Sequence, residues 1–259
     1  MAMHVKKPDY VDSEEPIRYL DGAALSRPFE LPPNQRLIAA VFLVIAIGIG
    51  GFFGFKAIDE VINAPARAAA SVQENLTRNV ALDLPSLPTL ITYSIDDIRA
   101  TFDQAGFTIY DMTDEEIAAV AVGLDYFKLP SDMTLADAML LYSQGIQNLS
   151  AVDAAKILNG SWRMTGDWSS GIDLGLWYAD FASGSIEASI QNAMVAEGFD
   201  TSTLGESGID GSGNTYQSGT IDIDGYTYTW KISVCPLSGV YDVDGLPESA
   251  NYVGIRLLT

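Results

Sequence analysis

Thr220-Ile-Asp-Ile-Asp224-Gly225-Tyr-Thr-Tyr-Thr-Trp230 is the stretch whose reading decides the fold. Asp224-Gly225 is a two-residue hairpin turn of the kind that needs positive φ at both positions. Closing it pairs Ile223 with Tyr226, Ile221 with Tyr228, and Gly219 with Trp230, where the missing side chain leaves room for the indole. With a period of two, Ile221, Ile223, Tyr226, Tyr228 and Trp230 share one face, which Ile232 and Val234 continue. Thr220, Asp222, Thr227, Thr229 and Lys231 share the other. The first is a core face and the second a wet one, the pattern of an antiparallel sheet packed on one side. A sugar-stacking role for the Tyr226, Tyr228, Trp230 ladder is therefore the weaker reading.

Outward from the hairpin, the strand signals continue. Tyr252 to Leu258 reads as a last strand. Ser161 to Trp168 and Ile172 to Phe181 flank Ser169-Ser170-Gly171, a loop of hairpin length. Phe107 to Tyr110 is a further strand. Helices are signalled by caps and acidic first turns. Ser94 with Asp96 and Asp97 opens one that presents Ile95, Ile98, Phe102 and Ala105 and stops at Gly106. Thr113-Asp114-Glu115-Glu116 predicts a second, through about Phe127. Thr134 with Asp137 opens a third past Tyr142, Ala151 to Leu158 forms a short fourth, and Ser185 to Glu197 a fifth, closed by Gly198-Phe199. The fold class that follows is α+β, several helices packed on a mainly antiparallel sheet. Ile98…Phe102…Ala105-Gly106-Phe107 and Ile190…Met194…Glu197-Gly198-Phe199 repeat one helix-stop pattern, which common local physics explains without duplication.

The N-terminal part is organised differently. Leu37 to Phe55 is an uncharged run of 19 residues between Arg36 and Lys56. At about 1.5 Å per residue a helix of that length spans a hydrocarbon core of roughly 30 Å. It is too long, and preceded by too much chain, for a cleaved signal peptide. Lys6, Lys7, Arg18, Arg27 and Arg36 precede it, against Lys56 and Arg67 just after, so the N-terminus is expected in the cytoplasm and the C-terminal domain outside. The expected organisation is a flexible cytoplasmic tail over 1–36, a transmembrane helix over 37–55, a kinked helical stalk with a Pro-containing connector over 56–88, and an acidic extracytoplasmic domain over 89–259. Ala46, Gly50 and Gly54 form a small-residue row on the membrane helix, a surface that allows close helix packing and hence a homodimer.

Charge and composition exclude much. From Lys56 onward there are 9 basic and 28 acidic residues, so the outer domain repels nucleic-acid backbones and no nucleic-acid partner is expected. The only histidine, His4, lies before the anchor, so the domain can form neither a Ser-His-Asp nor a Cys-His pair. Cys235, the only cysteine, precedes Pro236 at the end of an apolar strand and reads as an inert buried thiol. No lysine has serine three residues before it, and no phosphate-binding glycine loop occurs.

What remains are weaker candidates. Asp210-Gly-Ser212-Gly-Asn214 resembles half of a calcium loop, but the glutamate expected twelve along is Ile221, so it reads as a plain connection and no metal site is expected. Asp167, Asp173, Asp180 and Asp222 lie on strands or strand ends, and Asp180, between apolar neighbours, is the acid best placed for a raised pKa. Trp162, Trp168 and Trp177 are aromatics of unsettled exposure. No catalytic residue and no cofactor is expected. The expected function is a single-pass, membrane-embedded, non-catalytic envelope component that binds protein or glycan. The alternative is a carboxylate-dependent hydrolase acting on envelope polysaccharide.

Overall fold

Alternating side chains generate the sheet. In the computed structural model, which describes residues 62–78, 80, 84–116 and 118–259, eight strands form one sheet. They are β1 (Thr108–Asp111), β2 (Ala121–Phe127), β3 (Ser161–Asp167), β4 (Asp173–Asp180), β5 (Leu204–Ile209), β6 (Thr215–Ile223), β7 (Tyr226–Pro236) and β8 (Asn251–Leu258). Their order is β1-β2-β3-β4-β8-β7-β6-β5, antiparallel at every step. Two four-stranded meanders thus meet along β4 and β8. The fold is α+β, as expected. The predicted membrane helix, its Ala46, Gly50, Gly54 row and the tail lie outside the described residues.

The Asp224-Gly225 hairpin closes in the expected register, Ile223 opposite Tyr226 and Gly219 opposite Trp230. Asp224 has φ 51° and Gly225 φ 85°. One face of the sheet (Val122, Leu124, Met164, Leu174, Trp230, Ile232, Ile255 and Leu257 among others) forms the main core. It packs against α1 (Leu87–Leu90), α2 (Ile95–Gln104) and α5 (Ile186–Glu197). Tyr226, at the hairpin tip, is the exception on its face and is exposed.

Helix ends follow the sequence signals. The Ser94, Thr134, Ser150 and Ser185 side chains each accept a hydrogen bond from a first-turn backbone N–H. Gly198 ends α5 in the left-handed conformation, φ 71°. The α2 and α5 helices each lead into one meander, and Phe107 and Phe199, just past their glycine stops, are both buried in the main core. The helix-stop pattern read as local physics therefore marks equivalent places in the two halves of the sheet.

A second, smaller core lies on the opposite face, at one end only. There α3 (Leu135–Gln144), α4 (Ala151–Leu158) and the segment 237–250 bury Ile146, Ile157, Leu158, Leu237 and Val243. The rest of that face carries exposed Thr165, Asp167, Thr220, Thr227, Thr229 and Arg256, and among the described residues no layer covers it.

One expectation is corrected, and one strand had no signal in the sequence. The predicted helix from Thr113 to Phe127 is not formed: Ala121–Phe127 is β2, with Val122, Leu124 and Tyr126 alternating into the core. The Thr-Asp-Glu-Glu start signal was real helix chemistry, but period-two burial against β3 outweighs local propensity. The edge strand β5 was not anticipated. All six of its residues are exposed, so no hydrophobic alternation announces it.

Residues 62–77 are helical, with 62–70 exposed. Its C-terminal end is fixed to α4 by reciprocal capping. The Asn159 amide donates to the carbonyls of Asn75 (2.6 Å), Leu76 and Arg78 (both 3.2 Å). In return the Arg78 guanidinium donates to the carbonyls of Lys128 (2.8 Å) and Asn159. Terminal carbonyls that a helix leaves unpaired are thus satisfied across the junction. Among the described residues no helix is long and apolar enough to cross a membrane.

Candidate functional site

The uncovered sheet face is organised around Trp177 of β4. Directly across from it in β3 is Arg163, and across from it in β8 is Gly254. Gly175, two residues before it, points to the same face and pairs with Arg256. A Cβ built on Gly175 would overlap the six-membered ring of Trp177, and one on Gly254 would come within 2.9 Å of Cδ1 and Nε1. The indole therefore lies flat on a floor of two glycines. Gly175 and Gly254 are buried beneath it, while Trp177 itself is only half-buried.

Ion pairs frame this platform. Arg163 Nε donates to Asp125 Oδ1 at 2.7 Å and Nη2 to Asp125 Oδ2 at 2.8 Å, a bidentate pair across β2 and β3. That bond is the main reason the guanidinium pKa is raised, and desolvation opposes it. Arg256 makes the same two-point contact with Asp173 across β4 and β8. Lys231 of β7 lies 3.5 Å from Asp210 and 4.4 Å from the Tyr216 ring centre. Three cations are thus each matched to a carboxylate along the open face. Where that face meets the second core, Asp125, Arg163, Trp177, Tyr142, Tyr241 and Tyr252 surround a cavity of about 30 Å³. That is room for a water and not for a ligand, so anything bound here lies on the surface.

The other tryptophans differ. Trp162 is buried in the main core, stacked on Tyr126 at 5.6 Å. Trp168 borders a cleft of about 390 Å³ with Tyr93, Ser94, Asp96, Ala118 and Ala119. Its polar groups do not converge: Ser94 is used as a helix cap and the Asp96 side chain is 97% exposed.

Of the acids singled out from sequence, the fold brings together only Asp167 and Asp173. Asp167 and Asp173 face each other across β3 and β4. Asp167 accepts from the Ser169 N–H, which lowers its pKa, and Asp173 is held by Arg256. Asp222 bonds Thr227 in the hairpin. For Asp180 the expectation is reversed. Burial alone would raise its pKa, but hydrogen bonds from Ser183, from the Ser189 hydroxyl and from the Ala182 N–H outweigh it and hold the carboxyl low. Asp210 accepts from the Ser212 and Asn214 N–H groups and the Asn214 amide, so its oxygens organise the loop that resembled a calcium site. Among the described residues no group of three potential metal ligands gathers. Cys235 is half-buried and its thiol pKa is raised by burial, as an inert thiol requires.

Sequence reasoning missed Glu197. It is 6% exposed at the end of α5, and its Oε2 accepts from the Leu87 N–H at 2.6 Å, at the start of α1. Desolvation pushes its pKa up to about 7 against that hydrogen bond. The signal was faint: Glu197 stands where the helix pattern elsewhere has Ala105. A cavity of about 60 Å³ beside it is lined by Leu84, Pro85, Ser86, Leu90 and Tyr126. This is a junction between connector and sheet, with no second carboxylate among the groups acting on it. Compared with protein families, with curated proteins and with solved structures, the chain matches none.

Proposed function

We propose that this is a single-pass membrane protein that displays a non-catalytic binding domain outside the cell, and that the domain takes an envelope ligand, protein or glycan, on the open sheet face around Trp177. The mounting of Trp177 carries the proposal. A large aromatic pressed on a glycine floor is rigid before any ligand arrives, so little side-chain entropy is lost on binding. Unlike Trp162 and Trp230, it is not taken into the core. The hydrolase alternative has no matching support, since Asp167, Asp173, Asp180 and Asp222 are each engaged in a turn, a helix contact or an ion pair.

The anchor is the 37–55 run, and the exposed 62–70 helix suits a stalk that holds the domain off the bilayer. A domain so acidic is repelled by anionic headgroups, which favours the same arrangement. The Ala46, Gly50, Gly54 row offers a dimer contact within the membrane. Protease added to intact cells should remove the domain and spare the tail; digestion of the tail instead would reverse the orientation. For binding, the full chain in detergent micelles should be retained on isolated cell-envelope material. Trp177→Ala should lose about tenfold in retention, the scale of one aromatic contact, while still unfolding cooperatively at a melting temperature lowered by the lost packing on Gly175 and Gly254. Equal retention of the variant would place the binding surface elsewhere.

A further inference from the structure

Resting on that reading, we propose that the ligand of the open face is a neutral sugar ring, stacked on Trp177 and hydrogen-bonded by the flanking Arg163 and Arg256. Four observations narrow the ligand to this class. The first is shape: an indole lying flat across Gly175 and Gly254 offers a ring-sized apolar plate, which fits the face of a pyranose. A plate of one residue is too small for the apolar side of a helix.

The second is charge. Arg163 and Arg256 are each already locked to a carboxylate, Asp125 and Asp173, and the domain carrying them is strongly acidic. An anionic ligand would meet neutralised guanidiniums in a repulsive field, whereas a hydroxyl-rich neutral one loses nothing. The third is donor supply. The bidentate contacts use Nε and Nη2 of each arginine, so the Nη1 groups, which have no hydrogen-bonding partner among the described residues, remain to donate to ligand oxygens. Ser233 pairs with Gly254 at the far side of the plate and adds a hydroxyl on the same face.

The fourth excludes an extended peptide. Such ligands add to a sheet edge through backbone hydrogen bonds. Here β4 and β8 are central strands, paired on both sides.

Calorimetric titration of the full chain in micelles tests this with neutral hexasaccharides of glucose, mannose and N-acetylglucosamine, and with hexagalacturonate as an anionic control. At least one neutral hexasaccharide should bind saturably, and Trp177→Ala should weaken it about tenfold or more. Trp177→Phe keeps a smaller ring on the same floor and guards against a folding defect; it should lose less. Trp168→Phe should bind like the parent chain. Binding equal in Trp177→Ala, or lost only in Trp168→Phe, would overturn the site. Tighter binding of hexagalacturonate would overturn neutrality. If no neutral hexasaccharide binds while envelope retention still depends on Trp177, the sugar proposal falls and the broader binding reading stands.

Discussion

Trp230→Ala should destabilise the domain by about 3–5 kcal/mol, the range for deleting a large core aromatic. Trp230 is fully buried and stacks on Phe199 at 4.6 Å, with 4° between the ring planes. Its Nε1 donates to the Thr220 carbonyl at 3.2 Å. Across the hairpin, Gly219 leaves the space the ring fills: a Cβ there would overlap the indole and come within 2.6 Å of the Thr203 carbonyl oxygen. Truncation would therefore open a cavity bounded by a ring, a strand and a loop that are all held from other sides. Urea unfolding followed by circular dichroism measures the loss. A change below about 1 kcal/mol would mean that this face collapses easily and is not the rigid centre of the core.

Glu197→Gln should stabilise the domain at pH 8 by up to about 3 kcal/mol, because one pKa unit corresponds to roughly 1.4 kcal/mol. The unfolded chain releases this proton near pH 4.5, while the folded chain holds it to about pH 7. Across that window the unfolded state binds fewer protons, so stability falls as pH rises, and above about 7 the cost is constant. Glutamine removes the charge yet keeps an oxygen for the Leu87 N–H. The two proteins should therefore match in stability at pH 4 and diverge progressively toward pH 7. Parallel pH profiles would show that Glu197 titrates in the folded chain as it does in the unfolded one.

The legible parts of this fold share one property, that local chemistry and tertiary burial agree. The Asp224-Gly225 turn fixes its own register, and the alternation around it states which face is buried. The Ser94 and Ser185 caps mark helices that also bury Ile98 and Phe102, and Ile190 and Met194, in the core. The reading failed where the two disagree. In the segment before Phe127 a helix-start signal is followed by a strand whose inward side becomes apparent only once β3 lies beside it. Edge strand β5 buries nothing and leaves no pattern. The site was legible in part: Trp177 could be named, but its glycine floor joins Gly175 and Gly254, far apart in the chain and adjacent only through the β4–β8 seam. Glu197 was hidden for a related reason, since its burial comes from the Leu84–Leu90 segment folding back over α5.

The route by which the chain enters the domain has a mechanical consequence. A pull along the 62–77 helix is first taken up by Arg78 and Asn159, which couple it to the α4 layer on one side of the sheet. It is taken up again at Leu87, buried against α5 on the other side. Tension is thereby divided between two layers with the sheet clamped between them, so neither layer has to peel away alone. A load on the sheet would reach the 62–77 helix as shear across both layers, with the Arg78, Asn159 and Leu87 contacts strained together and not one after another.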